Sequence, residues 1–203
     1  RDVAVTGVQT CALPIFVGEF ATQRREVIGY GDIPDTLRNA IVSAEDANFF
    51  RHSGVDLVAL VARLAKDVAR GQSAGASTLT QQLARNLFPD PSQIGFQKTP
   101  ERKIKEALVA MQLEKRYTKA EIFTMYCNQI YFGHGAYGVQ AASRLYFGKP
   151  AKELTLPEAA MLAGIIQGNV TQSPYANMKT ALARRAYTLG RMEKEGYIAA
   201  AEI

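Results

Sequence analysis

Cysteine is scarce in this 203-residue chain. There are two, too few for a disulfide scaffold. No Cys/His cluster has zinc-ligand spacing. No apolar run approaches the ~18 to 20 residues that a bilayer span needs, so no transmembrane helix is expected. The glycine-rich stretches lack the Gly-Lys-Ser/Thr ending of a Walker phosphate loop. Internal repeats and low-complexity tracts are also missing. What remains is ordinary globular material, 47% apolar and 21% charged. That is enough for one domain, or two small ones, with a sizeable core, and it argues against a disordered or fibrous chain. The net charge of +5 suits an anionic partner: nucleic acid, a membrane surface or a phosphorylated ligand.

The first fifteen residues stand apart. Val5 to Ile15 (VTGVQTCALPI) resembles the translation of a common sequencing-library adapter. Residues 1–15 are therefore read as a non-native artefact and residues 16–203 as the domain, a fragment of a longer protein. Cys11 falls in the artefact, which leaves Cys127 without a disulfide partner. Any native signal or membrane anchor is expected to have preceded residue 16.

The domain reads as mainly α, with a short extended N-terminal segment at 16–20 and 26–30 around a polar bend at 22–25. Leu37, Ala40, Ile41 and Ala44 form one buried stripe of a helix opened by Pro34. A second helix over 55–69 carries a basic stripe of Arg63, Lys66 and Arg70. Ser77 or Thr78 caps the next helix, and Thr78-x-x-Gln81 fits a capping box. After a proline-rich loop at 88–100, helices are expected at 101–116 and 119–131. A glycine turn at 133–138 follows, then helices at 139–147, 155–167 and 178–195. Without strand–helix alternation, a parallel sheet is not expected.

Four clusters carry chemistry. Glu45 and Asp46 end a helix, where the macrodipole disfavours negative charge and raises a carboxylate's pKa; Phe49, Phe50 and His52 follow. A free carboxylate pair would look the same. Gly75-Ala-Ser77-Thr78-Leu-Thr80-Gln81-Gln82 leads into a helix N-terminus suited to an anion, with Arg85 and Asn86 one turn on; a well-capped helix explains it equally. Arg102, Lys103 and Glu106 share one helix face, and Ile104, Ala107, Leu108 and Met111 are expected to face the core. Such a trio can hold a phosphate or form a solvated ion-pair face. Tyr126-Cys-Asn128 through Gly138 reads mainly as structural, with His134 a turn residue.

The order of these clusters resembles the bacterial peptidoglycan glycosyltransferase domain, glycosyltransferase family 51, of class A penicillin-binding proteins and monofunctional transglycosylases. Five motifs carry the likeness: Glu45-Asp46-x-x-Phe49-x-x-His52-x-Gly54, Gly75-x-Ser77-Thr78-x-Thr80-Gln81-Gln82, Arg102-Lys103-x-x-Glu106, Ile122-Phe123-x-x-Tyr126-Cys127-Asn128 and Arg184-Arg185-x-x-Thr188-Leu189. Departures fall at packing positions and at Arg85, where many members have Lys.

The resemblance implies a lysozyme-like, two-lobed helical fold whose smaller lobe dips into a membrane. It implies polymerisation of lipid II into β-1,4 glycan, with inversion and release of undecaprenyl pyrophosphate, at the outer face of the bacterial cytoplasmic membrane. Glu45 and Glu106 would be catalytic. Asp46, Phe49, His52, Ser77, Thr78, Gln81, Gln82, Arg85, Asn86, Arg102 and Lys103 would bind substrate. No cofactor is obligatory, although Glu106 is a candidate ligand for a divalent cation such as Mg or Mn. Expected partners are lipid II, the growing glycan chain and the membrane surface, not nucleic acid. A C-terminal transpeptidase domain in the full-length protein stays open. Arg63, Lys66, Arg70, Ile94 and Phe96 are expected at the lipid. The alternatives are a lytic muramidase on the same scaffold and an inactive lipid II-binding module.

Overall fold

A computed structural model describes residues 24–56, 77–97 and 99–203. The segment 16–20, the helix expected at 55–69 with its basic stripe, and Gly75 lie outside the described residues, the first two residues of that helix excepted. The described residues form seven α-helices: α1 (Asp35–Glu45), α2 (Leu79–Leu87), α3 (Pro100–Arg116), α4 (Lys119–Gln129), α5 (Val139–Phe147), α6 (Leu156–Ile165) and α7 (Met178–Lys194).

Local chemistry sets most of these boundaries. In α2 the Thr78 hydroxyl accepts from the Gln81 N–H at 3.2 Å, and the Gln81 side chain accepts from the Thr78 N–H at 3.1 Å. This reciprocal cap is worth about 1 kcal/mol. Thr118 with Glu121 repeats it at α4, and at α6 the Thr155 N–H and hydroxyl both donate to Glu158 Oε2. Helix α3 starts at Pro100, one residue early, because proline fits the first helical position and Thr99 caps it. Helix α4 stops at Gln129, short of the expected 131. Ile130 turns extended and its carbonyl accepts the Gly138 N–H at 2.8 Å, which opens the glycine turn.

Helices α1, α6 and α7 pack on one another, and α2 packs on α3 and α4. One apolar core joins them through Leu37, Ile41, Phe49, Leu83, Phe123 and Leu162. Helix α6 is buried from Ala159 to Ile165. At its crossing with α7 a Cβ on Gly164 would lie 2.9 Å from the Arg184 backbone, so only glycine permits this approach.

Two expectations are corrected. Arg24–Arg25, assigned to a polar bend, form strand β1, which pairs in parallel with β2 (Ala136–Tyr137). The partner lies more than a hundred residues away, and local propensity is silent on it. The second correction concerns α3. Ile104 and Leu108 are 63% and 55% exposed and Met111 is exposed too, whereas Arg102 and Glu106 are buried. The helix is amphipathic as expected but turned the other way, with its charged face inward.

Candidate active site

The C-terminus of α1, α2 from Gln82 to Asn86, the first turn of α3 and the segment after α6 converge on one cleft of about 670 Å³. Glu45, Ser77, Gln82, Arg85, Asn86 and Arg102 line it.

Glu45 is the last residue of α1. Its Oε2 accepts from the Gln82 side-chain amide at 2.9 Å and from Gln167 at 3.4 Å. Its Oε1 is buried and has no hydrogen-bond partner among the described residues. Burial raises its pKa, and Asp46 adds to the rise; the two amides and Arg184 oppose it. The direction is the one expected from a helix C-terminus, but desolvation is the leading cause. A carboxylate with one oxygen clamped, the other free and an elevated proton affinity is equipped to take up a proton.

Asp46, the next residue, is tied into the scaffold. The His52 Nδ1 accepts the Gly54 N–H at 3.2 Å, so its Nε2 carries the proton and donates to the Asp46 carboxylate at 2.9 Å. The same carboxylate accepts the Leu79 N–H, at the start of α2, at 2.9 Å. The Thr78 hydroxyl donates to the Gly54 carbonyl at 2.6 Å. Together these contacts lock the end of α1 to the start of α2.

Glu106 is fully buried. Arg102 donates to its Oε1, Lys103 to its Oε2 at 2.9 Å, and Arg85 lies 3.8 Å away. Lys103 also donates to the Ser77 hydroxyl. Three cations are thereby gathered around one carboxylate, and Arg85, Arg102 and Ser77 face the cleft. Two buried polar atoms without partners among the described residues, Arg85 Nε and Asn86 Nδ2, lie in the same region. A phosphate would meet two guanidinium groups there.

Several expected site residues are placed elsewhere. Phe49 is fully buried against Phe123 and His52; an aromatic ring at that depth contributes to the core. Asp46, His52, Thr78 and Gln81 spend their polar groups on the lock and the cap, and none lines the main cleft. Glu106 is taken up by ion pairs here. Both its oxygens are held by cations, and the described residues offer no group of three His, Cys, Asp or Glu side chains able to share a metal. Ile94 is buried, not exposed to lipid; Phe96 is 59% exposed and lines the cleft. Tyr131, Tyr137, Gln167 and Asn169 also line it, and the sequence had not singled out the last two. His134, with φ of 51°, is a turn residue hydrogen-bonded to Ser173. Asn128 exchanges two hydrogen bonds with the Ile28 backbone, in keeping with a structural role.

This cleft and helical frame belong to a glycosyl-transferring class: the transglycosylase family model matches residues 15–193, and the chain belongs to that family. Among relatives, it is 44% identical over 182 residues to penicillin-binding protein 1A of Aquifex aeolicus, covering 89% of this chain and 24% of the relative. It is 41% identical over 187 residues to penicillin-binding protein 1F of Bacillus subtilis, covering 92% and 26%. The chain thus spans about a quarter of these relatives' length. The fold matches the crystal structure of penicillin-binding protein 1A from Haemophilus influenzae with a TM-score of 0.52 at 24% identity, over 92% of this chain and 18% of that one.

Proposed function

We propose that the chain is a peptidoglycan glycosyltransferase that polymerises lipid II at the outer face of the bacterial cytoplasmic membrane. The observation that carries this reading is one cleft with a buried, half-clamped carboxylate on one wall and a cluster of cations on the other. Glu45 Oε1 takes the proton from the acceptor sugar's 4-hydroxyl. That oxygen forms a bond to the anomeric carbon of the donor sugar from the face opposite the leaving group. The bond from that carbon to the pyrophosphate oxygen breaks, and configuration inverts. Arg85, Arg102 and Lys103 meet the charge that develops on the leaving group, where fixed cations contribute most.

Glu106 acts here as a positioning residue. It holds Arg102 and Lys103 and neutralises part of their repulsion. Two features support a lipid-linked substrate. The pyrophosphate wall adjoins α3, and α3 carries Ile104, Leu108 and Met111 exposed on its outer face. Such a face suits the apolar edge of a bilayer.

Incubation with lipid II tests the proposal. The protein should yield polymer and undecaprenyl pyrophosphate, with no cleavage of preformed strands. Glu45→Gln should reduce polymerisation at least 100-fold while lipid II binding changes less than threefold. Strand cleavage would favour a muramidase. Unchanged polymerisation by Glu45→Gln would overturn the base assignment.

A further inference from the structure

The cleft residues do not account for one buried hydroxyl. Tyr126 on α4 is fully buried, and its Oη donates to Gln82 Oε1 at 3.2 Å. Gln82 then donates from Nε2 to Glu45 Oε2 at 2.9 Å. The three groups form a chain across α4, α2 and α1. We propose that Tyr126 is a positioning residue for the glycosyl transfer: its hydroxyl fixes the side-chain amide of Gln82 with the NH₂ facing Glu45, and so keeps the base charged and aimed. This inference rests on the reading of Glu45 as the base.

The physical argument concerns amide orientation. A glutamine amide has a donor end and an acceptor end, and a rotation about its last torsion exchanges them. Facing Glu45 with Oε1 would put an acceptor against a carboxylate and support only the protonated acid. The hydroxyl of Tyr126 stabilises the opposite orientation by donating to Oε1. Burial keeps this phenol neutral, since its pKa is pushed well above the ordinary value chiefly by desolvation and then by Glu45. It therefore stays a donor across the working pH range. Because the chain is buried, each bond is strengthened by its neighbour and costly to leave unmade.

Other charged groups face this pair. Asp46, the residue that follows α1, and Arg184 from α7 act on Glu45 with opposite signs. Arg85 from α2 and the Cys127 thiol act on Tyr126. The cleft faces Glu45 with Gln167 and Arg102. None of these substitutes for a neutral donor aimed at Gln82 Oε1.

The test is the pH dependence of kcat/KM for lipid II polymerisation. Tyr126→Phe keeps the ring and deletes only the hydroxyl. Without it Gln82 is free to rotate, and the proton affinity of Glu45 rises. The acid limb of the profile should move up by about half to one pH unit, giving a three- to tenfold loss on that limb that shrinks at alkaline pH. KM should change less than twofold. Gln82→Met interrupts the chain from its other end and should shift the limb in the same direction. The double variant should shift it no further than the larger single one, because both cut one chain. A Tyr126→Phe enzyme that folds with an unmoved acid limb overturns the proposal, as do shifts that add. Loss of the fold in Tyr126→Phe also overturns it, since the hydroxyl would then be needed for stability. Glu45→Gln is run alongside: if it retains polymerisation, the base assignment fails first; if it is inactive and Tyr126→Phe shows no shift, only the positioning role fails.

Discussion

Replacing Glu106 by Gln removes one negative charge and almost no volume. Its consequence follows from how the cations around it are solvated. Arg102 has a side chain only 10% exposed, while Lys103 and Arg85 are 42% and 28% exposed. The latter two can turn toward water once the carboxylate is gone, but Arg102 cannot. Breaking a buried pair from one side leaves an uncompensated charge and costs about 3–5 kcal/mol. For a domain of this size that is a fall in Tm of about 6 to 20 °C. The assay is urea or thermal unfolding of the wild type, Glu106→Gln, Arg102→Met and the double variant. Removing the stranded guanidinium as well should recover half or more of the Glu106→Gln loss. A loss under about 1 kcal/mol, or single effects that merely add, would refute the view that Arg102 and Glu106 form a mutually dependent buried pair.

Three further outcomes are expected. Glu45 has a raised folded pKa, so its contribution to stability is full below the unfolded value and is lost as pH rises through the folded one. Glu45→Gln should therefore be more stable than wild type at pH 8 and no more stable below about pH 4, as read by melting curves across pH. Gly133 has φ of +88°, and a Cβ there would lie 2.4 Å from the Asn169 carbonyl oxygen. Gly133→Ala should cost at least about 2 kcal/mol in unfolding assays and raise KM, whereas Gly190→Ala, in the open middle of α7, should gain about 0.5–1 kcal/mol. Replacing exposed Ile104 and Leu108 with Ser should lower partitioning onto anionic liposomes about tenfold or more with little change in Tm; unchanged partitioning would place the lipid contact elsewhere.

What could be read from the sequence was what short-range chemistry decides. Thr78 with Gln81, Thr155 with Glu158 and Gly148 after α5 mark helix ends through groups a few residues apart, and those ends are where they were expected. The periodicity of α3 was visible too, but periodicity identifies two faces without saying which is inward. The inward face is charged because Lys103 meets Ser77 and Glu106 meets Arg85, and that meeting depends on how α2 packs against α3. The same limit hid part of the cleft. Glu45, Gln82 and Arg85 stand in recognisable motifs. Gln167 and Asn169 are ordinary polar residues after a helix, and only the packing of α6 on α1 brings the first to the carboxylate and the second to the cleft. Phe49 shows the converse: it belongs to a motif alongside site residues, yet serves the core.

Glu45 and Asp46 are adjacent, yet one carries the proposed chemistry and the other fastens two helices through His52 and the Leu79 N–H. A single backbone step separates reactivity from architecture. Inserting or deleting one residue before this pair would rotate both side chains by roughly 100° about the helix axis. The base would leave the cleft and the fastening would open in the same event, so this stretch of chain tolerates exchange of side chains far better than any change in length.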